Sequence, residues 1–421
     1  MKKSSLAGTV TVPPSKSHTL RAILFGLMGK GKTVIHQYLQ SPDTVAMIEA
    51  ARCFGAEIEM HPDRVEIIGV GGKLPRAENV IDSGNSGQVL RFIGALAALS
   101  DGYTILTGDH SIRHNRPVKP LLEALKELGA FAASARLDGY APIIIKGPMI
   151  PGKACLEGMD SQPVSGLLIA ASFAKGQIDL EVLNPGEKPW IDLTLHWLDK
   201  FGVSYTNEDY RRYSIQGGLA YEGFAYTVPG DFSSAAYPIA AALITNSEIR
   251  INNLDMKDVQ GDKKLIYALQ KMGAKIEIEE NSIIVKKDSH LKGMEIHIND
   301  FIDAVTILAV VGCYAEGTTV ISGAEIARKK ESDRIHAIAA ELKKMGAQIE
   351  EKADGLIVKK SMLQPAKVRT YKDHRLVLSL AVAAMGIDGA STILNIEPVA
   401  KTYSTFYKDF RKLGANIEVV Q

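Results

Sequence analysis

Residues 264–285 read KLIYALQKMGAKIEIEENSIIV, and this stretch decides the fold that the chain is predicted to adopt. Its first nine residues space apolar side chains as on one face of a helix, and Gly273 fits the left-handed backbone that often ends a helix. Lys275–Glu279 then alternate polar and apolar side chains, and so do Asn416–Val419 after the last such helix; this is the period of a half-buried strand. Ser282–Val285 follow a turn and predict a second strand. The stretch therefore predicts a helix followed by a hairpin.

The same arrangement recurs six times. A tripeptide with a central glycine marks each copy: Phe54-Gly55-Ala56, Leu128-Gly129-Ala130, Phe201-Gly202-Val203, Met272-Gly273-Ala274, Met345-Gly346-Ala347 and Leu413-Gly414-Ala415. Successive glycines are 74, 73, 71, 73 and 68 residues apart (129 − 55 = 74 for the first pair), so six units account for all 421 residues. Coincidental recurrence of glycines that end helices is the alternative to a true repeat.

A second sixfold landmark stands in register with the first and favours a true repeat. It is a very apolar helix that leads through a small residue into a β-branched strand, as at Ala22–Leu27 before Gly31–Ile35, Leu96–Leu99 before Gly102–Leu106, Ile239–Ile244 before Ile249–Ile251, and Ile307–Val311 before Gly317–Ile321. Such helices belong inside, covered by sheets. Each unit thus reads helix, strand, helix, strand, strand. Because six units exceed one hydrophobic core, we expect two groups of three.

Composition and charge exclude several classes of protein. The 49 lysines and arginines balance 48 aspartates and glutamates, so no global positive field exists to hold a nucleic acid. The three cysteines, Cys53, Cys155 and Cys313, build neither a disulfide framework nor a CxxC metal motif. Apolar runs such as Ala304–Ala315 are shorter than the ~20 residues of a membrane span, and no secretory signal is evident at the start. We expect a cytoplasmic protein that binds neither membranes nor nucleic acid and has no metal or organic cofactor.

One motif is misleading. Gly26–Thr33 matches the P-loop pattern letter for letter. A P-loop needs a strand before it and a helix after it, so that the helix N-terminus meets the phosphates. Here an apolar helix is predicted before the motif and a β-branched strand after it, which favours an ordinary helix-to-strand turn.

Three segments of the N-terminal half are candidate anion sites. In Pro13–Arg21, Ser15 or Ser17 can cap a helix whose free N–H groups lie beside Lys16, with Arg21 on or near the same face. Asp82–Gln88 carries two glycines that allow close approach of a ligand, and Arg91 follows one turn into the next helix. The third is the loop Gly108–Pro117, whose potentially cationic side chains would repel one another unless they shared an anion; they are His110, Arg113, His114 and Arg116. A metal is the alternative for the two histidines, but no partner set is spaced to complete it.

The C-terminal half carries a matching set. Ala327–Arg334 is predicted to open a helix on which Lys330 and Arg334 share a face, with Glu331 beside them. Asp373-His374-Arg375 starts another apolar helix, and Lys401 follows Pro398-Val399-Ala400. Asp303 stands alone among apolar residues, where a carboxylate is costly unless it is paired, hydrogen-bonded or used. Cations and carboxylates on both halves suit a cleft that closes around small polyanions.

These segments resemble the EPSP synthase family of 3-phosphoshikimate 1-carboxyvinyltransferases through essentially the whole chain. The motifs that carry the resemblance are Ser15–Arg21 (SKSxxxR), Gly84–Gly87 with Arg91 (GNxG…R), Arg116-Pro117, Lys330–Arg334 (KESDR), Asp373–Arg375 (DHR) and Ala400–Thr402 (AKT). The resemblance implies an α/β (α+β) fold, a two-domain inside-out α/β barrel with three βαβαββ-like units and buried helices in each domain. Residues 1–13 and 230–421 are expected to form one domain and 14–229 the other, with the active site in the cleft between them.

The resemblance implies transfer of the enolpyruvyl group of phosphoenolpyruvate to the 5-hydroxyl of shikimate 3-phosphate, with release of phosphate. Two carboxylates suit this chemistry, because a carbon must gain a proton while the hydroxyl loses one. By analogy Asp303 handles the hydroxyl proton, Glu331 the methylene carbon, and Lys16 assists. Phosphoenolpyruvate would bind to Lys16, Gly87, Arg116, Gln162, Arg334, Arg375 and Lys401. Shikimate 3-phosphate would bind to Lys16, Ser17, Arg21, Ser161, Gln162, Asp303 and Lys330. The enzyme is expected to be a monomer.

The chain also departs from the family pattern. The usual Ser-Ser-Gln segment stands here as Asp160-Ser161-Gln162, so that an acidic side chain would face a phosphate. Glu187 replaces a usual serine, Gln88 a usual threonine and Phe92 a common proline. Two alternatives stay open: a UDP-N-acetylglucosamine enolpyruvyl transferase, although the loop cysteine of that family is missing from Gly108–Pro117, and a catalytically inactive anion-binding protein on the same fold.

Overall fold

The computed structural model describes residues 1–420, and the chain divides into two compact units. The continuous unit is Pro14–Val228; the split unit combines Met1–Pro13 with the chain from Pro229 onward. Each unit contains three sheets. Within residues 1–420, no helix has the length and apolar character needed to cross a membrane.

The helices and strands alternate along the whole chain. The α-helices are α1 (Lys16–Met28), α2 (Pro42–Cys53), α3 (Gly87–Ala97), α4 (His110–His114), α5 (Lys119–Glu127), α6 (Ser161–Phe173), α7 (Lys188–Lys200), α8 (Phe232–Ile244), α9 (Lys264–Lys271), α10 (Val305–Tyr314), α11 (Arg334–Lys344), α12 (His374–Met385) and α13 (Phe406–Lys412). Short 3₁₀ helices span Gly261–Lys263, Asn299–Ala304, Glu325–Lys329 and Glu397–Lys401. The strands are β1 (Ala7–Thr11), β2 (Lys30–His36), β3 (Glu57–Met60), β4 (Arg64–Val70), β5 (Ile81–Asp82), β6 (Thr104–Thr107), β7 (Phe131–Ser134), β8 (Ile143–Lys146), β9 (Gly152–Glu157), β10 (Gln177–Leu183), β11 (Tyr205–Glu208), β12 (Arg212–Gln216), β13 (Ala225–Thr227), β14 (Glu248–Asn252), β15 (Ile276–Ile278), β16 (Ser282–Val285), β17 (Glu295–His297), β18 (Thr318–Ser322), β19 (Gln348–Lys352), β20 (Gly355–Lys359), β21 (Lys367–Arg369) and β22 (Thr392–Leu394).

Five of the six sheets among residues 1–420 have one plan, which confirms the predicted repeat. Their strand orders are β13-β2-β4-β3, β5-β6-β8-β7 and β9-β10-β12-β11 in the continuous unit, and β1-β14-β16-β15 and β17-β18-β20-β19 in the split unit. In each, a parallel pair is followed by two antiparallel pairs. The six glycines that end the amphipathic helices all have positive φ, as predicted, between +69° at Gly202 and +106° at Gly273.

The split unit is discontinuous because two edge strands lead into helices of the other unit. Strand β1 pairs with β14 in the split unit, but the chain continues from β1 into α1 of the continuous unit. Strand β13 pairs with β2 in the continuous unit, but the chain continues from β13 into α8 of the split unit. The proline-containing turns Val12–Ser15 and Val228–Asp231 carry these two crossings.

The predicted apolar helices are buried. In the continuous unit α3 packs against α6, and in the split unit α8, α10 and α12 pack against one another. Their N-termini carry polar caps from serine or aspartate in most cases, because the first backbone N–H groups of a helix need acceptors. The P-loop look-alike is the turn from α1 into β2, so the rejection of a P-loop is confirmed.

The sixth unit differs from the prediction of a strand at Asn416–Val419. No strand forms there, and its sheet has two strands, β21 and β22. The N-terminal residues lie where a second hairpin strand would be: Lys2 bridges to Ala390, and Lys2 N donates to Asn416 O at 3.0 Å. The first residues of the chain thus provide part of the hydrogen bonding of this unit.

Candidate active site

Asp303 lies at the centre of an ionic cluster in the split unit. Arg334 Nη1 donates to Asp303 Oδ1 and Arg375 Nη2 to Asp303 Oδ2, both at 2.7 Å. Asp303 belongs to the 3₁₀ helix before α10, whereas Arg334 opens α11 and Arg375 lies in the first turn of α12. Three segments far apart in sequence therefore converge on one carboxylate. Asp303 stands alone among apolar residues in the sequence, but two guanidinium groups pair with it in the structure.

Glu331 joins the same cluster. Its Oε2 accepts from Arg334 Nη2 at 2.6 Å and its Oε1 from Lys401 Nζ at 2.8 Å. Asp373 caps α12 by accepting from Arg375 N, and it also accepts from Arg334 Nε at 2.8 Å. Arg334 therefore meets three carboxylates with one planar guanidinium, an arrangement suited to its fixed donor geometry.

Burial and charge act against each other in this cluster. Burial alone would raise the pKa of Asp303, but the positive charges of Arg375 and Arg334 outweigh it and hold that pKa below its usual value. For Arg375, burial opposes the charged form, yet Asp303, Tyr237 and Asp231 together raise its pKa well above the ordinary value. The carboxylate and both guanidiniums are therefore charged at neutral pH.

Lys330 is placed differently from the prediction. It precedes α11 rather than lying on it, because Asp333 caps the helix by accepting from His336 N, so Lys330 does not share a helical face with Arg334. Lys330 is nevertheless buried, and its positive charge, like the charges of Arg375 and Arg334, lowers the pKa of Asp303. The predicted residues of the C-terminal half thus gather around Asp303 and Glu331.

In the continuous unit, the N-termini of α1 and α3 bring the first predicted segments together. Ser15, not Ser17, caps α1. Lys16 Nζ lies 3.3 Å from Asp43 Oδ2, and Ser86, the cap of α3, donates to the same oxygen at 3.1 Å. Asp43 thus links Lys16 to the loop that precedes Gly87.

Gly87 faces several cationic and amide groups. A Cβ atom at this position would lie 2.7 Å from Arg91 Nη1, 3.0 Å from Gln162 Oε1 and 3.2 Å from Arg116 Nη1. Arg91 donates to Gln162 Oε1 at 3.0 Å and is fully buried, as is most of Arg116. Glycine at this position leaves room for these guanidinium and amide groups, which a Cβ atom would displace.

Arg21 is buried without a carboxylate partner among residues 1–420. Its Nη2 donates to Thr194 Oγ1 at 2.7 Å and to Trp190 O at 3.2 Å, while Nη1 donates to Ser17 O at 3.2 Å. Burial lowers the pKa of Arg21 to about 9. A buried cation without an opposite charge is costly, so this guanidinium is suited to receive an anion.

Two of the four departures from the family pattern, Asp160 and Glu187, contact the N-terminus of α6. Glu187 Oε2 accepts from both the backbone N and the Oγ of Ser161 at 3.1 Å. Asp160 caps α6 by accepting from Gln162 N, and its other oxygen lies 2.9 Å from Arg91 Nη2. The backbone N–H groups of Ser161 and Gln162 thus donate to the protein's own carboxylates, those of Glu187 and Asp160.

The four potentially cationic residues of Gly108–Pro117 do not share one environment, contrary to the prediction. Arg116 is buried near Gly87, whereas His110 and His114 are exposed on α4 and stack with ring centroids 4.5 Å apart. Arg113 Nε donates to the Asp109 carbonyl at 3.3 Å. Of this loop, Arg116 alone joins the groups around Gly87, because the short helix turns the other three side chains outward.

Two groups among residues 1–420 have the ligand atoms for a metal ion, and cationic side chains bind both. In Glu331, Asp373 and His374 the two carboxylates bind Arg334 and Lys401. In Glu59, His61 and Glu66 the last carboxylate binds Lys32 at 2.7 Å and Arg64 at 2.8 Å. A metal would have to compete with these ammonium and guanidinium groups.

Sequence reasoning missed several residues that hold the site. Asp43 positions Lys16, and Ser233 accepts from Arg375 Nη2 at 2.8 Å. Gln260 holds the turn before α8, accepting from Phe232 N and donating to Gly230 O. None of these residues lies in a charged motif. Asp43 belongs to the pattern Ser41-Pro42-Asp43, which predicts the start of a helix and gives no sign of a contact with Lys16.

The chain is similar to proteins of one family along its whole length. A family model described as EPSP synthase (3-phosphoshikimate 1-carboxyvinyltransferase) matches residues 1–410. Proteins named 3-phosphoshikimate 1-carboxyvinyltransferase are 41% identical in Acetivibrio thermocellus and 44% identical in Methanocella arvoryzae, and each comparison covers 100% of this chain and 99% of the relative. A solved EPSP synthase from Acinetobacter baumannii superimposes with a TM-score of 0.84 at 29% identity, covering 100% of this chain and 98% of the other.

Proposed function

The chain belongs to the EPSP synthase family, and we propose that the two residue clusters described above together carry out that family's reaction. The enzyme transfers the enolpyruvyl group of phosphoenolpyruvate to the 5-hydroxyl of shikimate 3-phosphate and releases phosphate. The observation that carries the assignment of roles is the convergence of Arg334 and Arg375 on Asp303 beside Glu331.

Phosphoenolpyruvate is proposed to bind cations of both units. It is a compact polyanion. Buried guanidinium and ammonium groups offset its negative charge, and they also stabilise the negative charge that develops in the transition state. The proposed set is Lys16, Gly87, Arg116, Gln162, Arg334, Arg375 and Lys401. The close approach of Arg91, Arg116 and Gln162 to Gly87 supports the part of this set that belongs to the continuous unit. The expectation of a cleft between the domains stays a prediction.

The acceptor is proposed to bind Lys16, Ser17, Arg21, Ser161, Gln162, Asp303 and Lys330. Arg21 supports this most directly, because it is a buried cation without a carboxylate partner in the described chain. An anionic group of the acceptor would supply the missing charge. Gln88 Nε2 donates to Ser17 Oγ at 3.4 Å and orients that hydroxyl.

Asp303 and Glu331 are proposed to divide the proton transfers. The two guanidiniums that hold Asp303 are also proposed to bind phosphoenolpyruvate, so a bound substrate competes for them. As the guanidiniums turn to the substrate, the pKa of Asp303 rises toward its ordinary value and the carboxylate becomes a better base for the acceptor hydroxyl.

Glu331, with Lys401, serves the carbon end of the substrate. The hydroxyl oxygen bonds to C2 of phosphoenolpyruvate while C3 gains a proton, and the bond from C2 to the phosphate oxygen then breaks as a methyl proton is lost. Glu331 delivers and removes the proton at C3, while Lys16 and the arginines neutralise the departing phosphate.

The direct test measures phosphate release from phosphoenolpyruvate in purified, folded protein with and without shikimate 3-phosphate. We expect release to depend on the acceptor and to form one equivalent of enolpyruvyl product per phosphate. Folded protein that shows no acceptor-dependent release would be an inactive anion-binding protein, and the proposal would be wrong.

We further propose that the enzyme is a monomer in the cytoplasm. The proposed substrate ligands all belong to one chain, and the three cysteines are unpaired thiols, as in a reducing compartment. Light scattering with fractionation of the native cells tests both points; a stable dimer or an extracytoplasmic location would contradict them.

A further inference from the structure

The guanidinium of Arg21 is held along one edge by helix α7. Its Nε and Nη2 donate to Thr194 Oγ1 at 3.1 Å and 2.7 Å, and Nη2 also donates to Trp190 O at 3.2 Å. Nη1 donates to the backbone oxygen of the half-buried Ser17 at 3.2 Å. The guanidinium has more N–H donors than these four bonds use, so a donor remains for a ligand. Because Nε and Nη2 face α7, Nη1 beside Ser17 is the nitrogen best placed to meet that ligand.

The same guanidinium lies over the ring of Phe92. Arg21 Cζ is 5.0 Å from the ring centroid, and both side chains are fully buried. The face of an aromatic ring carries partial negative charge and attracts a cation most strongly where water is excluded. The cation of Arg91, by contrast, lies 2.9 Å from the carboxylate of Asp160. A carboxylate would cancel the charge of Arg21, whereas a ring stabilises the cation and leaves its charge for an anionic ligand.

The contact between Phe92 and Arg21 is one of two that join α3 to α1. Gln88 and Phe92 lie one turn apart on α3. Ser17 and Arg21 lie one turn apart on α1 in the same way. Gln88 Nε2 donates to Ser17 Oγ at 3.4 Å, so the two contacts follow the same helical spacing. Two of the departures from the family pattern therefore contact the two residues of α1 that are proposed to bind the acceptor.

We propose that Phe92 is a positioning residue for the acceptor: its ring fixes the orientation of the Arg21 guanidinium, so that Nη1 meets an anionic group of the acceptor. Without the ring, the guanidinium would have to be ordered when the acceptor binds, and this cost would weaken binding. Phe92 acts through Arg21 and takes no part in the proton transfers. This inference rests on the proposed function and deepens it, because Arg21 is proposed there to bind shikimate 3-phosphate.

Calorimetry with shikimate 3-phosphate tests the inference on Phe92→Leu, which keeps apolar bulk but removes the ring. We expect the dissociation constant to rise about tenfold, with a matching rise in KM for the acceptor. The kcat and the KM for phosphoenolpyruvate should change less than about twofold, because Arg21 is not among the groups proposed to bind that substrate or to move protons. Phe92→Tyr keeps the ring and should bind the acceptor as the wild type does.

Phe173→Leu is the matched control. Phe173 packs against Phe25 in the same unit, with ring centroids 6.1 Å apart, and no cation of the described chain lies over its ring. This variant loses a buried aromatic ring without disturbing a guanidinium, so its dissociation constant for the acceptor should match that of the wild type.

A double-mutant cycle separates positioning from general packing. In Arg21→Met, which removes the guanidinium, Phe92→Leu should change the dissociation constant of the acceptor less than about twofold, because the ring has no cation left to orient. Weakening of equal size with and without Arg21 would mean that Phe92 only shapes the core, and the inference would be wrong. An unchanged dissociation constant in Phe92→Leu would overturn it as well. If thermal unfolding shows that Phe92→Leu does not fold, Phe92→Met removes the ring with a more flexible side chain and answers the same question.

Phosphate release distinguishes a failure of this inference from a failure of the proposed function. If the wild type releases phosphate only with the acceptor but Phe92→Leu binds the acceptor normally, the inference is wrong and the proposed function stands. If no acceptor-dependent release occurs, yet Phe92→Leu binds the acceptor about tenfold more weakly and the cycle depends on Arg21, the proposed function is wrong and the positioning of Arg21 stands.

Discussion

The two clusters of cationic side chains differ in how their charge is balanced. In the split unit, Arg334 and Arg375 both bind Asp303, and Glu331 bridges Arg334 and Lys401. In the continuous unit, Arg21 is buried among neutral oxygens. The first cluster contains the groups proposed to move protons and pairs them with cations of the same unit, whereas Arg21 has no carboxylate partner in the described chain. We therefore expect variants in the split unit to act mainly on kcat and variants in the continuous unit mainly on binding.

The largest expected effect is that of Glu331→Gln. Glutamine keeps an oxygen for Arg334 or Lys401 but cannot transfer the proton at C3, so kcat should fall about 10²–10⁴-fold. The dissociation constants of both substrates should change less than about tenfold. Rapid-quench kinetics and calorimetry measure the two quantities; a large loss of binding with intact turnover would contradict the proposed role.

Lys16→Ala should have the next largest effect and should act on binding. Removing one charge-assisted contact should raise the dissociation constant of phosphoenolpyruvate about tenfold or more, measured by calorimetry. Lys32→Ala removes an exposed lysine of the same unit that pairs with Glu66, and serves as the control. An unchanged dissociation constant in Lys16→Ala would remove this residue from the site.

Gly87→Ala tests the close approach of the guanidinium groups. The new methyl would lie within 3.0 Å of Arg91 Nη1 and Gln162 Oε1, so these groups must shift and KM for phosphoenolpyruvate should rise about tenfold. Gly94→Ala, in the same helix, meets no neighbour closer than 3.4 Å and should leave KM nearly unchanged. Equal effects of the two substitutions would show that helix stability, not the site, is responsible.

The smallest effect is expected from Asp262→Asn, and it should depend on pH. Burial raises the pKa of Asp262 well above its usual value, and the charge of Asp303 adds to the shift. A raised folded-state pKa stabilises the protein fully below the unfolded value of about 3.9, and this contribution is lost as pH rises through the folded pKa. Relative to the wild type, Asp262→Asn should thus gain stability as the pH rises from 4 to 8.

Thermal unfolding across this pH range measures the difference. Asp388→Asn, an exposed residue of the same unit, is the control and should follow the wild type. A stability difference that stays constant with pH in Asp262→Asn would mean that the pKa of this carboxylate is not raised in the folded protein.

Local signals predicted most of the fold. The glycines that end the amphipathic helices have positive φ because a helix-terminating turn requires it, whatever surrounds them. The apolar helices are buried because no face of them suits water. The predicted strand at Asn416–Val419 was wrong because alternation describes a strand's faces but supplies no partner for its hydrogen bonds.

The site was predictable only as a set of residues. Motifs identified Glu331, Arg334, Arg375 and Lys401, and apolar neighbours singled out Asp303. Neither signal showed that Asp303 would bind both Arg334 and Arg375. Lys330 was misplaced because the cap at Asp333, rather than the charged run, decides where α11 begins. Gln260 was missed because its role depends on contacts with the distant residues Gly230 and Phe232.

By itself the sequence determined the repeated unit, the burial of the apolar helices and the identity of the charged motifs, because these depend on periodicity and on backbone preferences a few residues long. Only the tertiary structure decided which charges lie together: Asp160 pairs with Arg91 at the start of α6, while Arg21 is buried among neutral oxygens. Such pairings join residues far apart in the chain, as Asp303 and Arg375 are at 72 positions, and electrostatic energy depends on distance in space, which no local pattern records.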